Sequence, residues 1–266
     1  MCYGDKLKNK IEKIIKQYVA NYSEIKNVQT KWEEPLIAYA DANDEMFYKL
    51  KDVVSSSHAL PKDSLEEAQT VVAYFIPFHE SIIKSNIGGR ECSKEWARAY
   101  LETNQIISDL NTYIKDELEK LGYKAVITPA THNFDEKKLI SDWSHRHVAY
   151  VAGLGTFGLN NMLITEKGCC GRFGSFITDG KIEPTKRIDK ENCLYKHKNI
   201  CKKCVEKCVN DALKADGFDR FKCYEMCLFN DKLHSDIEGF TDACGKCLVD
   251  VPCSHGNPGN TKKILL

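Results

Sequence analysis

An α+β body followed by a small cysteine-rich domain is what this sequence predicts, and three observations predict it. Amphipathic helical segments alternate with short apolar runs through roughly the first 180 residues, the pattern of a layered helix-and-sheet core. Nine of the thirteen cysteines then crowd between Cys193 and Cys253. Turn residues Asp179-Gly180 and Pro184 separate the two regions, which places the domains at 1–185 and 186–266.

In the first region, Asp5 to Tyr22 is helical. Leu7, Ile11, Ile14, Ile15, Tyr18 and Val19 recur at three and four residues with Lys and Glu between them. Leu36 to Ala40 is a short strand. Val71 to Ile76 is β-branched and aromatic at every position and stops at Pro77, as a strand buried on both faces would. A second helix runs from Ser93 to Leu121. Ile107, Leu110, Ile114, Leu118 and Leu121 form its inner stripe, and Gly122 ends it. Ala125 to Thr128 is another short strand, and Gly174 to Thr178 a fourth, weaker one.

Composition narrows the function classes. With 38 basic and 38 acidic side chains there is no whole-chain attraction to nucleic acid or to an anionic membrane. No apolar run reaches the ~20 residues of a membrane span, and Met1 to Lys16 is charged where a secretory signal would be apolar. The expectation is a cytoplasmic protein without a membrane partner. In that reducing compartment, clustered thiols bind metal more often than they form disulfides.

The spacings say which metal. Cys201 and Cys204 are separated by two residues, Cys208 follows after three, Cys223 and Cys227 come next, then Cys244-Gly-Lys-Cys247 and Cys253. Bacterial ferredoxins place three cysteines at two-residue spacing and a fourth after three more, the last serving the other cluster. Read so, Cys201, Cys204 and Cys253 hold one [4Fe-4S] cluster, and Cys208, Cys223, Cys244 and Cys247 the second. The pattern wants a cysteine where Lys198 stands. Cys193 is the substitute, with His197 or an open iron site as alternatives. Zinc on Cys201, Cys204, Cys244 and Cys247 is the rival, but it leaves Cys193, Cys208, Cys223 and Cys253 without a role. Cys2, Cys92, Cys169 and Cys170 read as incidental or buried thiols. Lys196, Lys198, Lys202, Lys203 and Lys207 surround the first motif with Glu206 alone against them. They read as a solvated face that offsets cluster charge, or as a docking face for an acidic electron donor or a nucleic acid.

Gly153, Leu154, Gly155, Thr156, Phe157 and Gly158 match the dinucleotide fingerprint, with Asp179 about twenty residues on. The polar, aromatic segment before it reads as a helix where that fingerprint needs a strand. The glycines therefore read as a loop that comes close to another bulky cofactor. Asp142, beside Trp143, and His145 are the candidate acid groups, with hydrogen-bonded structural roles as the alternative.

Trp143 to Leu159, Leu163 to Gly168 and Gly171 to Asp179 together resemble the central segment of iron–sulfur proteins related to epoxyqueuosine reductase. Ala243 to Cys253 resembles their second cluster motif, and Leu60 to Val72 matches more loosely. The resemblance implies a fold shared with reductive dehalogenases: a nitroreductase-like, cobalamin-binding α/β core followed by a ferredoxin-like domain with two [4Fe-4S] clusters. It implies an oxidoreductase fed by a ferredoxin- or flavodoxin-type donor, with a corrinoid as terminal acceptor. The substrate would be a small molecule or a modified nucleoside, with tRNA as the family's carrier of it. A rival is an electron-transfer protein that lacks a corrinoid and reduces a partner. Two departures stand out: the first motif lacks its first cysteine, and Val209 follows Cys208 where proline is usual.

Overall fold

The computed structural model describes residues 3–129 and 134–260, so Cys2 lies outside the described residues. The chain opens with α1 (Tyr3–Lys26) and β1 (Leu36–Asp41), then α2 (Met46–Val53), the single turn α3 (Pro61–Ser64) and β2 (Thr70–Pro77). Two more helices follow, α4 (Glu80–Ser85) and α5 (Lys94–Lys120), before the three-residue β3 (Ala125–Ile127). The hairpin β4 (Phe134–Asp135) and β5 (Ile140–Ser141) precedes α6 (His145–Val151). A second hairpin, β6 (Gly155–Phe157) and β7 (Leu163–Thr165), leads into β8 (Gly171–Thr178). After β8 come α7 (Leu194–Lys198), α8 (Lys203–Glu206), α9 (Arg220–Leu233) and a 3-10 turn at Lys246–Leu248.

The main sheet has the order β1-β2-β8-β3 and is antiparallel throughout. Every residue of β2 is buried, which explains its unbroken apolar run. Alternate side chains serve opposite faces. Val72, Tyr74 and Ile76 pack under α1 and α5 with Ile11, Ile15, Ile107, Leu110 and Ile114. Val71, Ala73 and Phe75 face α2 and α6 with Phe47, Leu50, Val148 and Ala152. The Ser93 hydroxyl caps α5 by accepting from the Trp96 N–H, as its sequence position suggests. The buried stripe of α5 stops at Leu118, because Leu121 is half exposed at the helix end.

The weak strand signal at 174–178 belongs to a full eight-residue interior strand. The glycines that weaken the signal are what the pairing needs. A Cβ on Gly174 would lie 2.3 Å from the Tyr74 ring, which crosses over it from the neighbouring strand. The Tyr74 hydroxyl donates to Asn111 Oδ1 at 2.7 Å, and Asn111 Nδ2 donates to the Ser175 carbonyl at 3.3 Å, so α5 is bonded to both central strands. Among the described residues no helix is long and apolar enough to cross a membrane.

Tyr74→Phe leaves the buried Asn111 carbonyl oxygen unsatisfied and should cost about 1–3 kcal/mol in urea unfolding. A loss below a few tenths would mean the bond does not tie α5 to the sheet.

Candidate cofactor sites

The glycine-rich segment is a strand and a clamp. Gly155 opens β6, and a Cβ there would fall 2.1 Å from the Ile164 carbonyl oxygen on β7, so only glycine permits this hairpin. Gly153 takes φ +88 and packs against the backbone of Lys186 and Arg187. Leu154 is buried in the core, and Thr156 Oγ1 accepts from the Asn192 N–H at 2.8 Å. Asn192 is itself buried. It donates to the Ile164 carbonyl at 2.7 Å and accepts from Asn257 Nδ2 at 2.8 Å. This seam holds Cys193, the next residue. A second seam holds Cys253, whose carbonyl accepts from the Cys169 N–H at 3.0 Å.

Two groups of thiols result. Cys193, Cys201, Cys204 and Cys253 line one pocket together with Gly158, Leu159 and Ile164; it holds about 330 Å³ of empty space, open mouth included. The Cys204 thiol is pushed up to about 12 by burial and by the neighbouring Cys253, Cys193 and Cys201. We call this the outer group. In the inner group, the Cys244 thiol is pushed up to about 11, mainly by burial, with Cys223 and Cys208 adding to it. Burial raises Cys247 further, with contributions from Cys244, Cys223, Cys208 and, across the gap between the groups, Cys204. Thiols raised in this way stay protonated until a cation takes the proton's place. Backbone N–H groups already point at the sulfurs: Leu213 donates to Cys208 Sγ at 3.3 Å, and Lys246 donates to Cys244.

The two pairs of the zinc reading thus fall in different groups. Among the described residues, no three His, Cys, Asp or Glu side chains gather tightly enough for a single metal ion.

Cys227, which the spacing left without a role, lies one turn after Cys223 on the same face of α9. Its thiol hydrogen-bonds Cys223 and holds that thiol below the usual range, with Arg146 assisting and burial opposing. Cys169, read as incidental, has its sulfur 3.9 Å from that of Cys253. Gly245, at φ +71, lies against the Trp96 indole, where a Cβ would meet the ring at 2.1 Å; this contact seats the Cys244–Cys247 turn.

Both Cys223 and Cys227 open onto a large cavity of about 2030 Å³, open mouth included, between α2, α6, α9 and the β4–β5 hairpin. Tyr100, Tyr150, Phe157 and His147 supply aromatic walls. Lys49, Arg146, Lys196 and Arg220 face it, with Asp242 as the acidic residue of the lining. Behind this wall Arg172 stacks on Tyr100 at 4.2 Å, and its buried Nε has no hydrogen-bond partner. Among the described residues neither Arg146 nor Arg172 forms an ion pair with a carboxylate; Arg146 donates to the Asn161 carbonyl at 2.8 Å. Of the glycine-rich segment, Phe157 lines this cavity and Gly158 lines the outer thiol pocket; the other four residues pack on protein. Of the five clustered lysines, Lys196 reaches the cavity, Lys202 lies over the Tyr195 ring, and Lys207 pairs with Asp250 at 2.5 Å.

The two candidate acid groups lie elsewhere. Asp142 is exposed and accepts hydrogen bonds from Ser57 and Ser55. His145 is buried within a closed chain: Trp143 Nε1 donates to Ser175 Oγ at 3.0 Å, and Ser175 donates to His145 Nδ1 at 2.8 Å. The His145 Nε2–H then donates to the Pro129 carbonyl at 2.8 Å. Burial lowers its pKa to about 4, so it stays neutral. Neither residue lines the cavity. His147 does, with its pKa lowered to about 4 by burial, Arg146 and His58, and its Nδ1 2.7 Å from Ser144 Oγ. Two-residue spacing on a short helix sends one histidine inward and the other to the cavity, a choice only the packing of α6 makes.

No protein-family profile matches the chain, and no curated protein matches it. Solved structures do. Epoxyqueuosine reductase from Streptococcus thermophilus superposes with a TM-score of 0.54 at 18% identity, over 92% of this chain and 68% of that one. The enzyme from Bacillus subtilis, solved with its catalytic loop swung out of the active site, gives 0.57 at 16% identity, over 92% and 67%. The catabolic reductive dehalogenase NpRdhA, in complex with 3-bromo-4-hydroxybenzoic acid, gives 0.57 at 18% identity, over 84% of this chain and 30% of that one. The fold is the one these reductases share.

Neutral buried imidazoles make stability depend on pH in one direction. Their folded-state pKa, about 4 for His145 and His147, lies below the ordinary 6.5, so the unfolded chain takes up protons first as pH falls. Stability is full above about 6.5 and is lost between there and about 4, by up to about 1.4 kcal/mol per pH unit for each ring. Urea unfolding of His145→Gln should show a shallower loss over that window than the wild type. Identical slopes would contradict a neutral His145.

Proposed function

We propose that this chain is an iron–sulfur oxidoreductase that passes low-potential electrons through two [4Fe-4S] clusters to a corrinoid or substrate held in the large cavity. The observation that supports this reading is the pocket lined together by Cys193, Cys201, Cys204 and Cys253, with Cys223 on the wall of the large cavity. Cys193, Cys201, Cys204 and Cys253 would hold the outer cluster; Cys208, Cys223, Cys244 and Cys247 would hold the inner one. The donor set fits, since all eight ligands are soft thiols and backbone N–H groups already face two of the sulfurs. Bound clusters would supply one-electron transfer at low potential. Residues 186–266 form the cluster domain in this reading, and residues 1–185 the cavity-bearing core.

The cavity fits a large, flat, anion-bearing ligand. Its aromatic walls offer stacking area, and its four cations face a single acidic side chain. A corrinoid there would supply a strongly reducing metal centre, while the chain's own residues orient substrate. Arg146 and Arg220 would hold a phosphate or carboxylate, Tyr150 and Phe157 would flank a ring, and neutral His147 would offer or accept a hydrogen bond without adding charge. A structural neighbour was solved with an epoxyqueuosine-modified tRNA stem-loop, over 92% of this chain at 17% identity, and a modified nucleoside is the substrate class we favour. An acidic ferredoxin or flavodoxin would reach the outer group past Lys202 and Lys203.

Purified without oxygen, the protein should be brown and carry about eight irons, four per cluster. Cys193→Ala should lose about half of them; full retention would assign the fourth outer ligand elsewhere, with His197 as the next candidate. A colourless protein with no dithionite-induced paramagnetic signal would end the cluster reading. Titration with base-off cobalamin should give a spectral shift that Arg146→Glu weakens at least tenfold. No shift in the wild type would favour a carrier that reduces a separate partner.

A further inference from the structure

Lys246 lies inside the Cys244–Cys247 turn and is 3% exposed. Its ammonium donates to the Asn86 carbonyl at 2.9 Å and to the Gly88 carbonyl at 2.6 Å. Among the described residues it forms no ion pair with a carboxylate. The groups that face it are the thiols of Cys244 and Cys92, neutral while protonated, and, on the same loop as Cys92, the half-buried Glu91. Two neutral carbonyls satisfy hydrogen bonds but do not neutralise a charge, and a buried cation with no counter-ion is strongly disfavoured. The surrounding structure invests in holding it: Asn86 is fully buried, donates through Nδ2 to the Cys244 carbonyl at 3.0 Å and accepts from the Ser93 N–H at 2.9 Å. An ammonium so placed implies an anion on the Cys244 side.

We propose that Lys246 is the built-in counter-charge of the inner cluster and sets its reduction potential above that of the outer one. The inference rests on the two-cluster reading. Four thiolates around a [4Fe-4S] core leave a net negative charge, and one electron taken from a low-potential donor makes that charge one unit larger while an iron in the core is reduced. No proton need move. A buried cation next to the core stabilises the reduced state more than the oxidised state and raises the potential, because net charge and burial are among the levers on such clusters. The outer pocket has no buried cation of this kind among its lining residues. Electrons entering at the outer group would therefore run downhill toward the cavity.

The test compares anaerobically prepared wild type, Lys246→Gln and Lys246→Arg by iron analysis and by dithionite titration followed by electron paramagnetic resonance. Gln keeps amide donors for the two carbonyls and removes the charge. The Gln variant should retain its iron, and one of the two clusters should become at least tenfold harder to reduce, 59 mV for one electron. The other cluster should not change, and Arg should restore most of the shift. Iron retained with both potentials unmoved would overturn the assignment. Glu91→Gln, at a half-exposed position, provides a second reading if the Gln variant fails to fold: it should make the same cluster easier to reduce, and no shift would likewise overturn the proposal. Wild type without iron would instead overturn the cluster reading itself, so the two failures are distinguishable.

Discussion

The junction at Asn192 is the constraint on which the outer thiol group depends. Its backbone N–H, its side-chain amide and its side-chain oxygen are all used, on Thr156, Ile164 and Asn257. These bonds tie the β6–β7 hairpin, the start of the cysteine-rich segment and the end of the described chain into one seam. Within a buried seam every polar group must be paired, so the position of Asn192 has almost no slack. Cys193 inherits that rigidity, and Cys253 gains its own through the Cys169 N–H. The proposed cluster sites would draw on five separate stretches of chain and need such fixed points, because thiols on free loops would spend their binding energy on ordering the backbone.

Electrostatics then divides the molecule. Burial pushes the thiols of Cys204, Cys244 and Cys247 upward, with neighbouring thiols adding to it, which makes these three costly as bare thiolates and receptive to a cationic partner. On the far side of the inner group, the cavity carries Lys49, Arg146, Lys196 and Arg220, and Arg172 is stacked behind it. Among the described residues the half-buried Arg146 and Arg172 have no carboxylate partner, a setting that an anionic ligand would complete. In the proposed reading, negative cluster cores would sit on one side and a negatively charged ligand on the other, with Cys223 between them.

Much of the body was legible in the residues. The three- and four-residue stripes of α1 and α5 and the continuous apolar run of β2 specify those elements directly, since their faces are buried along their whole length. β8 was understated because Gly171 and Gly174 lower the strand signal, and nothing local shows that a tyrosine ring crosses above Gly174. The glycine-rich segment was open to misreading for a related reason. Its spacing is that of a ligand-cradling loop, but the close neighbour at Gly155 is the carbonyl of Ile164. Glycine marks a close approach without naming what approaches. Asp142 and His145 gave no sign that one is exposed and the other closed into a hydrogen-bond chain, while His147, two residues on, faces the cavity.

By itself the sequence determined which residues can do chemistry: the pairs Cys201–Cys204 and Cys244–Cys247 are neighbours through backbone spacing alone, whatever the rest of the chain does. That Cys193 and Cys253 meet Cys201 and Cys204 at one pocket was decided by tertiary structure, because packing and not spacing brings them there. The same holds for the cavity and for the ammonium of Lys246. A cysteine pair is a local property of the backbone, whereas burial, and every charge effect that follows from it, exists only once remote segments have closed around it.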